Sequence, residues 1–525
     1  MPRPRIRLLS AIAVAGAALL ALAIAPAGGL AKRGHVPRAL LVGSWHGHKG
    51  QFKTIQAAVN AARSGDWVLV GPGDYHERAD FKSSGRPSAD DAGGGVYITK
   101  PGLHLRGMNR NRVVVDGTKR SSKKCSSAAS DQTVGPLHKG ERLGRNGVEV
   151  WKANGVYVEN LTVCNFLGSG AGNEIWWNGG DGSGKVGLGS YWGNYITGTT
   201  TYIGKQDSKI AQYAIFVSNS RGPGVIDHSY GSNMADSNYY VGACPDCSAT
   251  INHAHSENGA LGFSGTNAGG HLVLKNSEWD KNRAGIVPNS LNNDDAPPPQ
   301  DGRCPHSTTK SCTVIENNHI HDNNNPNTPG AGVAASGPVG VGIELVGASY
   351  NTVRSNKIDH NGAWGIVIHE YPDTETPPAS GISHCQGGTQ LPGGVCNFPA
   401  IGNIVHDNRF SANGGFGQPT NGDIGDEPAA ANPHNCFFGN TDPAGLSSDP
   451  PNIQTVDGPP CTGPGPGDEP GLGVALICAS SLNPTGSCSG YPGYTGVKLL
   501  PLKRQPTMPN PCAGVPANAW CPKHK

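Results

Sequence analysis

Apolar and polar residues in this chain alternate in short runs, and the runs recur in a phrase that returns six times. It covers residues 228–233, 253–258, 277–282, 318–323, 356–361 and 408–413, and reads polar, any, bulky, two variable positions, asparagine. Its third position holds Tyr230, His255, Trp279, Ile320, Ile358 and Phe410. The closing asparagines stand 25, 24, 41, 38 and 52 residues apart. A beat near 24 with loop-sized excesses predicts a coil that repeats once per turn and accepts insertions at its corners.

One turn shows the physics. In Val341-Gly-Ile-Glu-Leu-Val-Gly347, Ile343 and Leu345 alternate with Glu344, so the aliphatics point inward and Glu344 outward. Val353 and Ile358 serve the next two faces, and Ile366 begins the next turn. Asn356 sits at a bend, where its amide can bond to backbone and to the same residue one turn away. The fold class is therefore all-β, a solenoid with three parallel strands per turn. Before the repeats, Ile55, Ala58, Val59 and Ala62 fall on one helical face that stops at Gly65. The strand 67–70 follows, then the turn Gly71-Pro-Gly-Asp74. A short helix there covers the open end of the solenoid core.

Residues 52–77 resemble the N-terminal cap and first turn of secreted right-handed parallel β-helix proteins, the pectin-lyase-like superfamily. The asparagine phrases are similar to that family's repeat. The resemblance spans residues 45–415 and implies a right-handed three-sheet coil. It leaves activity open, because the fold carries lyases, hydrolases, esterases, epimerases and non-catalytic adhesins. Family signatures are incomplete here: Asp90-Asp91 and Asp294-Asp295 lack a Gly-His-Gly turn, Gln206-Asp207 and Gln300-Asp301 fall in insertions, and Ile226-Asp-His228 lacks a proline.

Insertions at 289–310 and 371–398 follow a first strand, while those at 324–338 and 167–210 precede one. All border one outer sheet, which predicts a groove suited to a linear polymer. Outward positions on its floor include Glu149, Trp151, Phe216, Ser218, Asn289, Glu344 and His369. The cluster His369-Glu370-Tyr371 supplies three proton-transfer groups at the edge of an insertion, with Glu344 as a further catalytic candidate. Glu149, Trp151, Lys152 and Asn289 are the substrate-binding candidates. The pairs His321-Asp322, Asp359-His360 and His406-Asp407 do not share one register, which reads as solvated corners rather than a metal column. Ca²⁺ is the one cofactor considered, at 373–375 or 423–427, without a ligand loop of known spacing.

Composition agrees with many corners: Gly 77 and Pro 42 make about 23% of 525 residues, with 15% charged. A net charge of +2 argues against a nucleic-acid partner. Arg3, Arg5 and Arg7, the apolar run 8–24 and Ala25-Pro-Ala27 predict a cleaved export signal, so no membrane span is expected afterwards. The expected organisation is a signal at 1–27, a linker at 28–44, the β-helix at 45–415 and an irregular Gly/Pro/Cys-rich region at 416–525. Fourteen cysteines in an exported chain predict disulfides, with local pairs Cys304–Cys312, Cys385–Cys396, Cys478–Cys488 and Cys512–Cys521. Cys244-Pro-Asp-Cys247 reads as a further staple. These readings predict a secreted or cell-surface monomer whose partner is a polysaccharide or cell-surface glycan. It is either a uronic-acid lyase or epimerase, or a non-catalytic glycan-binding scaffold.

Overall fold

Each turn of the chain gives one strand to each of three parallel sheets. Sheet 1 stacks eleven strands from Gly94–Ile98 to Ser448–Asp449, sheet 2 twelve from Ala39–Val42 to Cys436–Phe438, and sheet 3 ten from Gly73–Tyr75 to Arg409–Ser411. In one turn Val341–Val346, Thr352–Arg354 and Lys357–Asp359 occupy sheets 1, 2 and 3, and Trp364–His369 returns beside Val341–Val346. The fold is a right-handed parallel β-helix, the hand that parallel crossovers adopt. The computed structural model describes residues 35–78, 94–135, 137–138, 141–142, 144–168, 172–181, 183–205, 209–292, 312–374, 385–428, 433–463 and 470–522. The expected signal at 1–27 lies outside them. The coil belongs to one compact unit, Pro37–Lys525.

Alternation does what the pattern required: Ile343, Leu345, Val353 and Ile358 are fully buried in the tube. The capping helix is Ile55–Ala61, with Ile55, Ala58 and Val59 buried. Thr54 caps it by accepting from the Ala57 N–H, and Glu77 accepts from the Ile55 and Gln56 N–H groups at 2.6 and 3.1 Å. It ends before Gly65 because Ala62 is already extended.

Asparagines stack at all three corners. Asn318, Asn356, Asn408 and Asn440 pass one amide to the next at 3.1, 2.9 and 2.9 Å. Asn282, Asn323, Asn361 and Asn413 do the same at 3.0, 3.1 and 3.1 Å. Asn351, Asn403 and Asn435 form a third column at 3.0 and 3.2 Å.

The first two copies of the phrase differ from the others by one residue. Tyr230 pairs with His255, but His255 pairs with Glu278 and Ser256 with Trp279. A one-residue shift exchanges the faces of a strand. Trp279, Ile320, Ile358 and Phe410 therefore fill the core, whereas Tyr230 and His255 face outward and Gly231 and Ser256 face in. The asparagine column breaks at the same place: Asn258 bonds Asn233 at 2.7 Å, while Asn282 accepts from the Gly259 N–H at 2.9 Å. The Tyr239 ring takes up the space, since a Cβ on Gly231 would stand 3.1 Å from it. The Tyr239 hydroxyl donates to Ser229 at 3.0 Å.

Parallel strands continue beyond the last phrase, at Gly422–Glu427, Cys436–Phe438 and Ser448–Asp449. Residues 472–478, strand-like in sequence, form part of a helix, Pro470–Ser480. Its Leu472, Ala475, Cys478 and Ala479 lie at helical spacing and pack on Val341, Trp364 and Val367 of sheet 1's outer face.

The chain then runs back over the coil. Leu500 exchanges both backbone hydrogen bonds with the Asn233 amide at 2.9 and 3.0 Å. Gln505 does so with Asn111 at 2.7 and 2.8 Å. The Met508 N–H reaches Asn160 at 2.9 Å and the Trp520 indole reaches the His48 carbonyl at 3.0 Å. Asparagine amides thus replace a β-ladder for an extended strap. Arg110, 2% exposed, ties it down by donating to Thr197 Oγ1, the Ile196 and His228 carbonyls and the Pro506 carbonyl. Arg110→Ala is expected to cost about 3 kcal/mol, since charged hydrogen bonds to buried acceptors are lost. Hydrogen exchange should then rise first at 504–510, well before the coil opens.

Disulfides join Cys125–Cys164, Cys244–Cys247, Cys385–Cys396, Cys436–Cys461, Cys478–Cys488 and Cys512–Cys521. Cys312 is also disulfide-bonded, and Cys304 lies outside the described residues. Such bonds suit an oxidising compartment. Among the described residues no helix is long and apolar enough to cross a membrane.

Candidate functional site

The outer face of sheet 1 carries two adjacent rows of side chains. One runs through Glu149, Trp176, Phe216 and Tyr240 to Ser264; the other includes Trp151, Asn178 and Ser218. Farther along, Val346 stands beside His369, and His369 beside Glu427. The helix Pro470–Ser480 covers the far part of this face, and the corner segment Val333–Ser336 rises beside it. Between them is a cavity of about 380 Å³, a volume typical of small-ligand sites. Its floor includes Ser264, Thr266, Asn289 and Glu344, and its walls include Val333, Pro338, Leu291 and Ser480. Of the insertions read from sequence, 324–338 lines the cavity, as do Asn289, Leu291 and Tyr371 at the starts of two others, while 167–210 contributes no described residue to it; residues 333–338 and the helix make a pocket there rather than a long open trough.

Four sequence candidates meet in this cavity: His369, Glu344, Asn289 and Tyr371. His369 Nε2 lies 3.0 Å from Glu344 Oε1, and Nδ1 lies 2.9 Å from the Glu370 carbonyl oxygen. Both partners are oxygens, an arrangement that a doubly protonated ring satisfies through both of its N–H groups. Burial opposes that charge, but the hydrogen bond and field of the Glu344 carboxylate outweigh it and raise the His369 pKa above 6.5. Asn289 donates to Ser264 Oγ at 3.1 Å, which fixes its amide along the floor.

The other candidates stand elsewhere. Glu370 accepts from Asn397 at 2.5 Å, beside the small antiparallel sheet formed by 371–373, 389–390 and 396–398. Glu149 is fully buried, accepting from Asn146 and Asn178 at 2.9 and 3.0 Å. Lys152 pairs with Asp181 at 2.5 Å and lies 5.1 Å from the Trp151 ring centre. These last three do not line the cavity.

Asp236, Tyr213 and Tyr240 also line the cavity, and sequence reading missed all three. Burial raises the Asp236 pKa to about 6, against a hydrogen bond from Tyr213 that favours the carboxylate. One cue was available. Asp236 stands three residues after a closing asparagine, where the other copies carry Leu261, Gly285, Pro326, Trp364 and Phe416. A charge at an otherwise uncharged position of a repeat marks a site that packing does not require.

Tyr240 connects the cavity to an aromatic ridge. Phe216 stacks on Trp176 and Tyr213 with centroids 4.9 and 4.2 Å apart, and meets Tyr240 edge-on at 4.8 Å. The ridge, with Ser218 and Asn178 beside it, is an apolar floor edged by neutral hydrogen-bonding groups.

The stretches considered for Ca²⁺ are already engaged. Asp373 accepts from the Asn292 N–H at 2.6 Å, Asp423 from Asn413 and Ser447, and buried Asp426 from Asn435 at 3.0 Å. Residue 375 lies outside the described residues. His321, His360 and His406 each pair at 2.8 Å with the adjacent aspartate; His321 and His406 lie on the strands His319–His321 and Ile404–His406, and His360 just beyond the strand Lys357–Asp359.

The family described as "Right handed beta helix region" matches residues 300–418. Among solved structures, the A-module of mannuronan C-5 epimerase AlgE4 from Azotobacter vinelandii is similar at 14% identity, over 74% of this chain and 90% of that one, with a TM-score of 0.42. Pectin methylesterase PemA from Erwinia chrysanthemi is similar at 16% identity, over 55% and 80%, with a TM-score of 0.29. An alginate lyase from Paenibacillus sp. is similar at 11% identity, over 78% and 97%, with a TM-score of 0.30. A comparison with curated proteins finds no match. The chemistry of the site rests on its own residues.

Proposed function

We propose that this right-handed parallel β-helix acts on a polysaccharide in the cavity over sheet 1, by removing the proton from a sugar carbon beside a carboxylate and then either returning a proton to the opposite face of that carbon or expelling the linking oxygen, which takes up a proton as the double bond forms. The reading is a uronic-acid lyase or epimerase. The observation that carries it is the meeting of Asp236 with the His369–Glu344 pair in one cavity. Abstracting such a proton needs a base near neutral pKa and a cation for the negative charge that develops. Asp236, poised at about 6, is the base. The His369 imidazolium supplies positive charge and a transferable proton. Tyr213, which hydrogen-bonds Asp236, and Tyr240 line the same cavity, and the aromatic ridge receives the adjoining sugars.

The test is incubation with a panel of uronic-acid polymers, with and without Ca²⁺. Ultraviolet absorbance reports unsaturated products, and solvent deuterium uptake reports epimerisation. Activity should follow a bell-shaped pH profile, with an acid limb near 6 from Asp236 and an alkaline limb above 6.5 from His369. His369→Gln should lower kcat about 100-fold and remove the alkaline limb. Silence in both readouts, paired with retention of the protein on a glycan column, would establish the non-catalytic scaffold instead. That second reading draws on the uncharged Asn178, Ser218, Ser264 and Thr266 along the same floor.

A further inference from the structure

The outer face of sheet 3, around the corner from the cavity, concentrates histidines and carboxylates that the polysaccharide reading leaves unused. His319 and His321 are two residues apart on the strand His319–His321, so both project from one face. Their ring centres are 4.0 Å apart. Glu278 lies on the neighbouring strand, paired with His319. One ligand atom from each of Glu278, His319 and His321 lies within 4.8 Å of the other two. We propose that these three residues form a binding site for a divalent transition metal ion of the zinc type.

The surroundings support a ligand site over a patch of ion pairs. Three lysines on this face are each committed: Lys281 to Asp280, Lys357 to Asp359 at 2.9 Å, and Lys503 to Glu257. His255 pairs with Asp280 at 2.8 Å. Glu278 and Asp322 share a single imidazole, that of His321, at 3.2 and 2.8 Å. Asp322 accepts from Nδ1–H, which turns Nε2 toward Glu278 and places Asp322 as the outer partner that metal-bound histidines ordinarily have. His319 Nε2 is bordered by Asp359 Oδ2 at 2.9 Å and Lys357 Nζ at 3.1 Å, and that ion pair closes one side.

Donor chemistry sets the class of ion. Two imidazoles and one carboxylate suit zinc and its neighbours, whereas Ca²⁺ and Mg²⁺ favour all-oxygen sets. Three protein ligands leave a fourth position for water. The side chains are partly exposed, 14% for His321 and 48% for Glu278, so an ion reaches them without opening the coil.

The test uses the full chain, stripped with a chelator and titrated with Zn²⁺ by calorimetry. One saturable site is expected. Binding should be lost in His319→Ala and in His321→Ala, weakened 10–100-fold in Asp322→Asn, and unchanged in His406→Ala. Circular dichroism should show the same fold in each variant, and the Co²⁺-loaded wild type should absorb in the visible range as a four-coordinate site. No saturable binding to the wild type, or binding that survives both histidine substitutions, overturns the proposal. Neither result bears on the polysaccharide activity, which has its own readout.

Discussion

Asp236→Asn is expected to lower turnover of a uronic-acid polymer by 10²–10⁴-fold, the usual contribution of a positioned general base, while making the protein more stable. Asparagine keeps the shape and the contact with Tyr213 but cannot take a proton. The stability effect follows from linkage. The Asp236 pKa in the folded chain is about 6, above the 3.8 ordinary for an aspartate. The folded state therefore binds the proton more tightly, and ionising this group at neutral pH opposes folding. That penalty is full above about pH 6, shrinks as pH falls and is gone below about 3.8. The substitution should thus raise Tm at pH 7.5 and change it far less at pH 4. Thermal melts at both pH values and a progress curve at pH 7.5 check the pair of effects. Unchanged turnover would remove Asp236 from the catalytic machinery. Lost turnover with a lowered Tm at pH 7.5 would mean that the residue is a structural anchor.

Asn408→Ala is expected to destabilise the coil by about 3–5 kcal/mol, at roughly 1 kcal/mol for each hydrogen bond lost. Asn408 Oδ1 accepts from the Asn356 N–H at 3.0 Å and from its amide at 2.9 Å. Its own amide donates to the Val353 carbonyl at 3.0 Å and to Asn440 at 2.9 Å. All of these groups are buried, so removing the side chain strands several polar atoms at once. Asn408→Asp should be damaging too, because it retains the acceptor but loses both donors and adds a buried charge. Urea denaturation measures both, and a change under 1 kcal/mol for the alanine variant would show that water replaces the column.

The legibility of this chain varied with the range of the interaction. The tubular core was readable from Ile343, Leu345, Val353 and Ile358, because alternation and bend are local consequences of a strand meeting a corner. The corner role of Asn356 was readable for the same reason. The outward turn of Tyr230 was not, since a single-residue register shift depends on which strand lies alongside. Nor was the helix Pro470–Ser480, whose small apolar residues gain their meaning from the outer surface of sheet 1. At the candidate site, His369 and Glu344 were accessible to sequence because they alternate with core positions on repeat strands. Asp236 was not found, because it precedes its strand and comes to line one cavity with His369, 133 residues away in the chain, only through the stacking of turns.

The sequence alone determined that the protein is a coil of parallel strands, how long each turn is, which side chains fill it and where insertions leave it. Those properties repeat locally, so each turn states them again. Tertiary structure decided which outward groups share a cavity, how the end of the chain straps the coil, and which histidines and carboxylates gather on sheet 3. They depend on the register between turns and on packing by distant segments, which no single period in the sequence records.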